Sequence, residues 1–413
     1  MYLSLDKTKK YLLACSFAPD SMALFGMLLE AGYLFEIAYV DYHYRGTESD
    51  EETRNLLAFA TQHNIYVHLH NAHYETKYGN FEGWARKERY NFFKHIYDLE
   101  KSFDSVLVAH HQDDVLETYL LQKRRRNRPL YYGMQNAIKI NNMPVLRPLL
   151  EVSKSQLRMY CLANEIPFSD DSTNYDLKYE RNKIRHEYIA KLNVAKRTNL
   201  LQEIKDRNAN LENLRSTLKS DFDFSSPLDI TKLKKLNDDE FANLIFMLLE
   251  TRSLFRPLSK KSLIELQKML SSAKPNIEWN INDKWMFAKA YKNLYLLPRG
   301  PMPSYEYTID RPKKFQSDFI QLDFTTKTEH HGIRLLDYPL IIRPAKRDDN
   351  YLVGGYRKSV LRLFIDWKMP RHIRDIWPVF VNKSGVIVYI PRYRADYKKT
   401  LDSDLVIHLP FIC

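Results

Sequence analysis

Along the first half of the chain, short continuous apolar runs alternate with segments whose apolar residues recur at helical intervals. Tyr11–Cys15, Phe35–Asp41, Ile65–Leu69 and Asp104–Ala109 are runs of buried-strand type. Met22–Leu29, Glu52–His63 and Phe81–Tyr97 carry helical spacing between them. This alternation predicts βαβ units around a parallel sheet, an α/β fold that binds ligands at the carboxyl ends of its strands. Three polar clusters fall at such ends: Ser16–Ser21, Asp41–Glu48 and His110–Glu117. The first is a tight turn into a helix, with Asp20 or Ser21 expected as N-cap. Backbone amides and the positive end of a helix dipole would converge there, which suits an anion.

Near Leu192 the pattern changes. Leu200, Leu201, Ile204, Leu211, Leu214 and Leu218 recur at helical intervals and predict a long amphipathic helix. Further helices are expected over Asp238–Thr251 and Lys260–Leu270, and short strands at Ile277–Trp279, Trp285–Ala290 and Leu294–Leu297. Pro298–Pro312 reads as a linker. The expected division is a catalytic α/β domain over 1–195, a helical α+β domain over 196–300 and a small α+β domain over 315–413. No internal repeat or low-complexity tract stands out.

A chain of 413 residues exceeds what one core usually organises, which agrees with two or three domains. The net charge of +12 arises from clustered basic residues and points to a polyanionic partner. The three cysteines, Cys15, Cys161 and Cys413, lack paired spacing, which argues against disulfides, structural zinc and iron–sulfur clusters. The sequence has no long uncharged apolar run, and MYLSLDKTKK lacks the pattern of a secretory leader. The expectation is a cytoplasmic protein without a membrane partner.

The cluster after the fourth strand run reads AHHQDDVLET. Acidic residues in a first helical turn complement the dipole. Two histidines, two aspartates and a glutamate within eight positions exceed what capping needs. Carboxylates beside a phosphate loop suit Mg²⁺; taken alone, the cluster also fits a dinuclear metal phosphoesterase. Three motifs in this order, SxxxDS at Ser16–Ser21, AHHQDDxxET and Asp171–Arg185 (DSTNYDLKYERNKIR), resemble the tRNA(Ile)-lysidine synthase family. That family belongs to the N-type ATP pyrophosphatases, or PP-loop enzymes. VDYHYRGTES at 40–49, NFEGWARKERYNFF at 80–93 and RPLL at 147–150 support the resemblance. The family loop normally reads Ser-Gly-Gly-x-Asp-Ser, whereas this chain has Ser16-Phe17-Ala18-Pro19-Asp20-Ser21.

The resemblance implies a parallel-sheet PP-loop domain of the adenine nucleotide alpha hydrolase type. It implies adenylation by ATP of the wobble cytidine of the isoleucine tRNA with anticodon CAU, then attack by free lysine to give lysidine, AMP and pyrophosphate. Ser16, Phe17, Ala18, Pro19, Asp20 and Ser21, with His110, would bind ATP, and Asp20 and Asp114 would hold Mg²⁺. Asp20, Asp113 and Arg86 would be catalytic, Arg86 lying against the cytidine or a phosphate. Arg124 and Arg125 in the run KRRRNR, Arg181 and Arg185, and the C-terminal Lys358, Arg362 and Arg374 would contact tRNA. For the tryptophans near that C-terminal stripe, Trp367 and Trp377, core packing is expected. A homodimer is compatible with this reading. The rivals are a tRNA thiolase, whose chemistry usually needs paired cysteines, and a non-catalytic or differently specific tRNA-binding protein of the same fold.

Overall fold

The computed structural model describes residues 3–408 apart from 44–46, 76–79, 126–127, 170–179, 255–256, 301–303, 326–330 and 394–404, and nothing of the Asn182 side chain. Two compact units emerge, Met1–Glu212 and Asn213–Cys413.

The first unit begins with β1 (Lys10–Cys15), α1 (Pro19–Glu30), β2 (Leu34–Asp41), α2 (Thr47–Gln62), β3 (Val67–Asn71), α3 (Phe81–Glu100) and β4 (Phe103–Val108). It continues through α4 (Gln112–Arg124), the hairpin β5 (Ala137–Ile140) and β6 (Met143–Leu146), then α5 (Lys154–Ala163), α6 (Glu180–Glu187) and α7 (Val194–Asp221). The six strands pair in the order β3-β2-β1-β4-β6-β5, parallel except for the last hairpin. In β1, Tyr11, Leu13 and Cys15 enter one core with α1, while Leu12 enters a second with Tyr90, Phe93 and Ile96 of α3. Burial on both faces explains why the strand reads as a continuous apolar run rather than an alternating one. At Gly26 of α1 an added Cβ would fall on Cδ1 of Ile166, the end of a side chain that would have to shift.

Several elements differ from expectation. The first helix starts at Pro19, with Ala18 as N-cap and no side-chain cap, so neither Asp20 nor Ser21 caps it. Proline fits there because its fixed φ suits the first helical position and its missing amide has no helical acceptor to lose. The helix α4 ends at Arg124 with Arg125 as C-cap, inside the run KRRRNR, of which 126–127 lie outside the described residues. Most of Asp171–Arg185 lies outside the described residues; its end forms α6. The helix α7 continues through both the expected boundary at 195 and the division between the two units.

In the second unit, Leu228–Asp229, Asn293–Pro298, Trp285–Ala290 and Asn276–Asn280 form one sheet in that order. The helices Asp238–Glu250 and Lys260–Ser271 belong to the same portion of the chain. Lys289 is buried under the end of the latter helix and donates to Leu270 O (3.1 Å) and to Ser272 O, satisfying carbonyls the helix leaves open. A second four-stranded sheet joins Tyr307–Ile309, Leu340–Pro344, Pro378–Val381 and Ile387–Tyr389. Tyr307–Ile309 falls within the expected linker: its pairing with Leu340–Ile342 supplies the order that the proline-rich sequence does not advertise. Trp377 is fully buried, its indole N–H donating to Pro391 O at 2.7 Å, and Trp367 packs against the same core. Among the described residues no helix is long and apolar enough to cross a membrane.

Candidate active site

The strand order reverses at β1, which has β2 on one side and β4 on the other. Open α/β sheets bind ligands at such a switch point. The loop after β1 and the start of α4 after β4 both lie there. In the loop Phe17 takes a left-handed φ of 58°, whereas Ala18 stays extended at −75°. The left-handed conformation costs a non-glycine residue about 1–2 kcal/mol. Here the ring is buried in the core and the Phe17 carbonyl accepts from Ser169 N at 3.0 Å, so burial offsets the strain. The Ser21 hydroxyl accepts from Ser16 N (3.2 Å) and donates to Ala18 O (3.0 Å), tying the loop across its base. The first-turn amides of Asp20 and Ser21 have no acceptor within the helix, and Pro19 contributes none.

Across the crevice, His111 is the N-cap of α4. Its Nδ1 accepts from Asp113 N at 3.2 Å, and Asp114 Oδ2 accepts from His111 N at 3.0 Å, closing a capping box. The ring proton therefore sits on Nε2, which faces Asp20 Oδ2 at 3.3 Å and Asp114 Oδ2 at 3.5 Å. Burial opposes charge on His111, but the bond to Asp20 and the charges of Asp114, Asp20 and Asp113 overcome it and raise its pKa. One imidazole thus links the loop after β1 to the acidic start of α4.

Glu117, fully buried one turn further along α4, accepts from Arg181 Nε (2.7 Å) and from Arg185 Nε. Arg181 Nη2 also donates to Asp114 Oδ1 at 2.9 Å. Asp113 pairs with Arg197 from the start of α7. Burial resists ionisation of Asp114, yet His111, His110 and Arg181 together lower its pKa. His110 behaves oppositely: burial first, with Arg147, Arg181 and Arg86 nearby, lowers it to about 4 against the pull of Asp114.

The structure therefore brings together Asp20, His110, Asp113, Asp114, Arg181 and Arg185. Arg86 is exposed on α3 with its guanidinium over the Tyr90 ring at 4.9 Å, near enough for its charge to bear on His110. Arg181 and Arg185, expected to face RNA, direct donors at Glu117 and Asp114. Arg124 and Arg125 stay at the surface and pair with Glu180 at 3.4 and 2.6 Å. Lys358, Arg362 and Arg374 belong to the second unit. There Arg374 turns inward to Met369 O (2.8 Å), while Lys358 and Arg362 share Asp366. His111 and Glu117 belong to the polar cluster that the sequence marks as functional, without an individual part for either, and the motifs give none to Arg147 or Arg197. The arginine within the apolar run of RPLL was a signal for Arg147; Arg197 offered none.

The donor set fits a hard cation at Asp20, whose Oδ1 is buried and has no hydrogen-bond partner among the described residues. Asp114 has both oxygens engaged by His111 and Arg181, so less of it remains for a metal.

Similarity to known proteins agrees with this geometry. A model of the PP-loop domain matches residues 2–192. The tRNA(Ile)-lysidine synthase of Mycoplasma mycoides is 31% identical over 402 residues, covering 93% of this chain and 97% of that protein. The synthase of the same name from Staphylococcus aureus is 28% identical, with 91% of each chain covered. That from Ureaplasma parvum is 37% identical across 43% of this chain and 54% of its own. With its PP-loop domain and near full-length similarity, the chain belongs to the tRNA(Ile)-lysidine synthase family.

Proposed function

We propose that this protein is an ATP-using ligase that joins the side-chain amine of free L-lysine to C2 of the wobble cytidine in the isoleucine tRNA with anticodon CAU. The observation that carries the reading is the convergence of Asp20, His111 and Asp114 where the strand order reverses, between an anion-binding loop and a row of arginines. In the first step the C2 oxygen of cytidine attacks the α-phosphorus and pyrophosphate departs. The Ser16–Ser21 loop and the first turn of α1 hold the departing phosphates through backbone amides. Asp20 would hold Mg²⁺, which when bound neutralises phosphate charge.

In the second step the lysine amine attacks C2 and AMP leaves with the former C2 oxygen. The amine has an ordinary pKa near 10.4, so a carboxylate must help take its proton, and Asp113 and Asp114 are the candidates. Arg86 lies toward the cytidine or its phosphate. The surface cations Arg124, Arg125, Lys358 and Arg362 neutralise tRNA phosphates. Residues 1–195 would carry the chemistry, while 196–300 and 315–413 position the RNA; the family resemblance is compatible with a homodimer. The reaction belongs in the cytoplasm, where tRNA, ATP and lysine meet.

The test is incubation of the purified chain with ATP, Mg²⁺, labelled lysine and the CAU isoleucine transcript. Label at the wobble cytidine, lost in Asp20→Ala, is the expected result. A folded protein that binds the transcript but incorporates no label would instead be a non-catalytic tRNA-binding relative.

A further inference from the structure

We propose that Arg147 is a positioning residue that holds His110 as a neutral donor, with its N–H at Nε2 aimed at a phosphate oxygen of the reacting nucleotide. The proposal rests on the adenylating function above. Arg147 follows β6 and is 5% exposed, yet among the described residues no carboxylate pairs with it. Its guanidinium is anchored by neutral acceptors: Nη1 donates to Gln135 O at 2.8 Å, and Nε donates to His110 Nδ1 at 3.2 Å. Burying a cation among neutral groups is costly, and its retention calls for a reason beyond packing.

The reason lies in what arginine cannot do. A guanidinium has five N–H donors, no acceptor and no accessible deprotonation. When its Nε–H points at an imidazole nitrogen, that nitrogen must be the acceptor, and the ring's one proton must occupy the other. The Arg147 contact thus fixes the His110 tautomer with its proton on Nε2. Among the described residues no hydrogen bond is made by that Nε2. The charges around His110 act in the same sense. Burial first, then Arg147 from the β6 side, Arg181 from α6 and Arg86 from α3, disfavour a second proton on the ring, against the pull of Asp114 from α4. A neutral imidazole donor stabilises developing negative charge without surrendering its proton. His111 one residue away has the same tautomer by a different device, the backbone N–H of Asp113, and its Nε2 is directed at carboxylates.

The experiment is nitrogen-15 NMR of the full chain labelled at histidine, with the His110 signals assigned by their loss in His110→Gln. In the wild type, Nδ1 should report as unprotonated and Nε2 as protonated across neutral pH. A dominant Nδ1–H form or an imidazolium overturns the proposal without any variant. Arg147→Met should mix the two tautomers and lower kcat for pyrophosphate release about tenfold, with KM for ATP nearly unchanged. Arg147→Lys, which keeps a donor in less fixed geometry, should recover part of that loss. If Arg147→Met keeps the single tautomer, or loses it with kcat intact, Arg147 is structural only. Failure of the wild type to modify tRNA would refute the functional reading and leave the tautomer measurement standing on its own.

Discussion

In the first unit, Arg181 and Arg185 stand one helical turn apart and direct their Nε groups at the two oxygens of one buried glutamate, Glu117. In the second unit, Lys358 and Arg362 both reach Asp366, which like them remains at the surface. The histidines divide the same way. His111 is gathered among Asp20, Asp113 and Asp114 and holds its proton more tightly than usual. His372, buried in the second unit against Tyr295, has no partner for Nε2 among the described residues, and burial lowers its pKa to about 4. Similar residue types thus serve a polar network around a buried carboxylate in one place and an apolar core with a solvated charged rim in the other. Each charge takes its character from the depth at which its partner lies.

The largest expected effect comes from breaking the network around Glu117. Glu117→Ala would leave two arginines facing a vacated site, at a cost toward the low end of the about 3–5 kcal/mol typical of broken buried pairs, because Arg181 itself is part-exposed. Denaturant unfolding should show this loss and lysidine formation should cease, with Glu117→Gln recovering part of the stability. An unchanged midpoint would show that the network contributes only to catalysis.

The core histidine gives a pH signature of similar size. Its folded pKa of about 4 lies below the ordinary 6.5. The unfolded chain therefore binds more protons in that window, and stability is lost as pH falls from 6.5 toward 4. The loss amounts to about 3 kcal/mol, and His372→Phe should flatten this part of the stability profile relative to wild type. Equal slopes in both proteins would contradict the burial argument.

Phe17→Gly sets strain against burial. Relief of left-handed geometry returns about 1–2 kcal/mol, whereas losing a buried phenyl costs about 3–5 kcal/mol, so thermal unfolding should report a net loss of about 2 kcal/mol. A more stable variant would mean that the ring contributes little.

The smallest effect on stability belongs to the rim. Lys358→Ala and Arg362→Ala should each change stability by no more than about 0.5 kcal/mol. In tRNA binding against salt concentration, each should reduce the slope by about 1 if it meets a phosphate. Unaltered slopes would place the tRNA elsewhere.

The sheet and the polar clusters at its strand ends were legible because periodicity and local composition encode them. Strands β1, β2 and β4 lie within a residue or so of their apolar runs. The partners of the site were not legible. Glu117 meets Arg185 across 68 positions and Arg197 meets Asp113 across 84, separations at which no periodic signal survives. Spacing placed Arg181 and Arg185 on one helical face but could not say that the face meets the carboxylates of α4. Tyr307–Ile309 was hidden for a related reason: its order comes from the strand it joins, and its own composition says little.

The seating of Phe17 carries one more consequence. A glycine loop owes its shape to its own backbone freedom and can relax independently of what lies beneath. Here the ring roots the loop in the same core as Leu13, Met22 and Leu149. Nucleotide affinity should therefore be sensitive to packing at positions that never touch nucleotide. A single methylene removed from that core would reach the phosphates as a slackened grip, so for this protein mutational tolerance of the interior and strength of substrate capture are one inherited property.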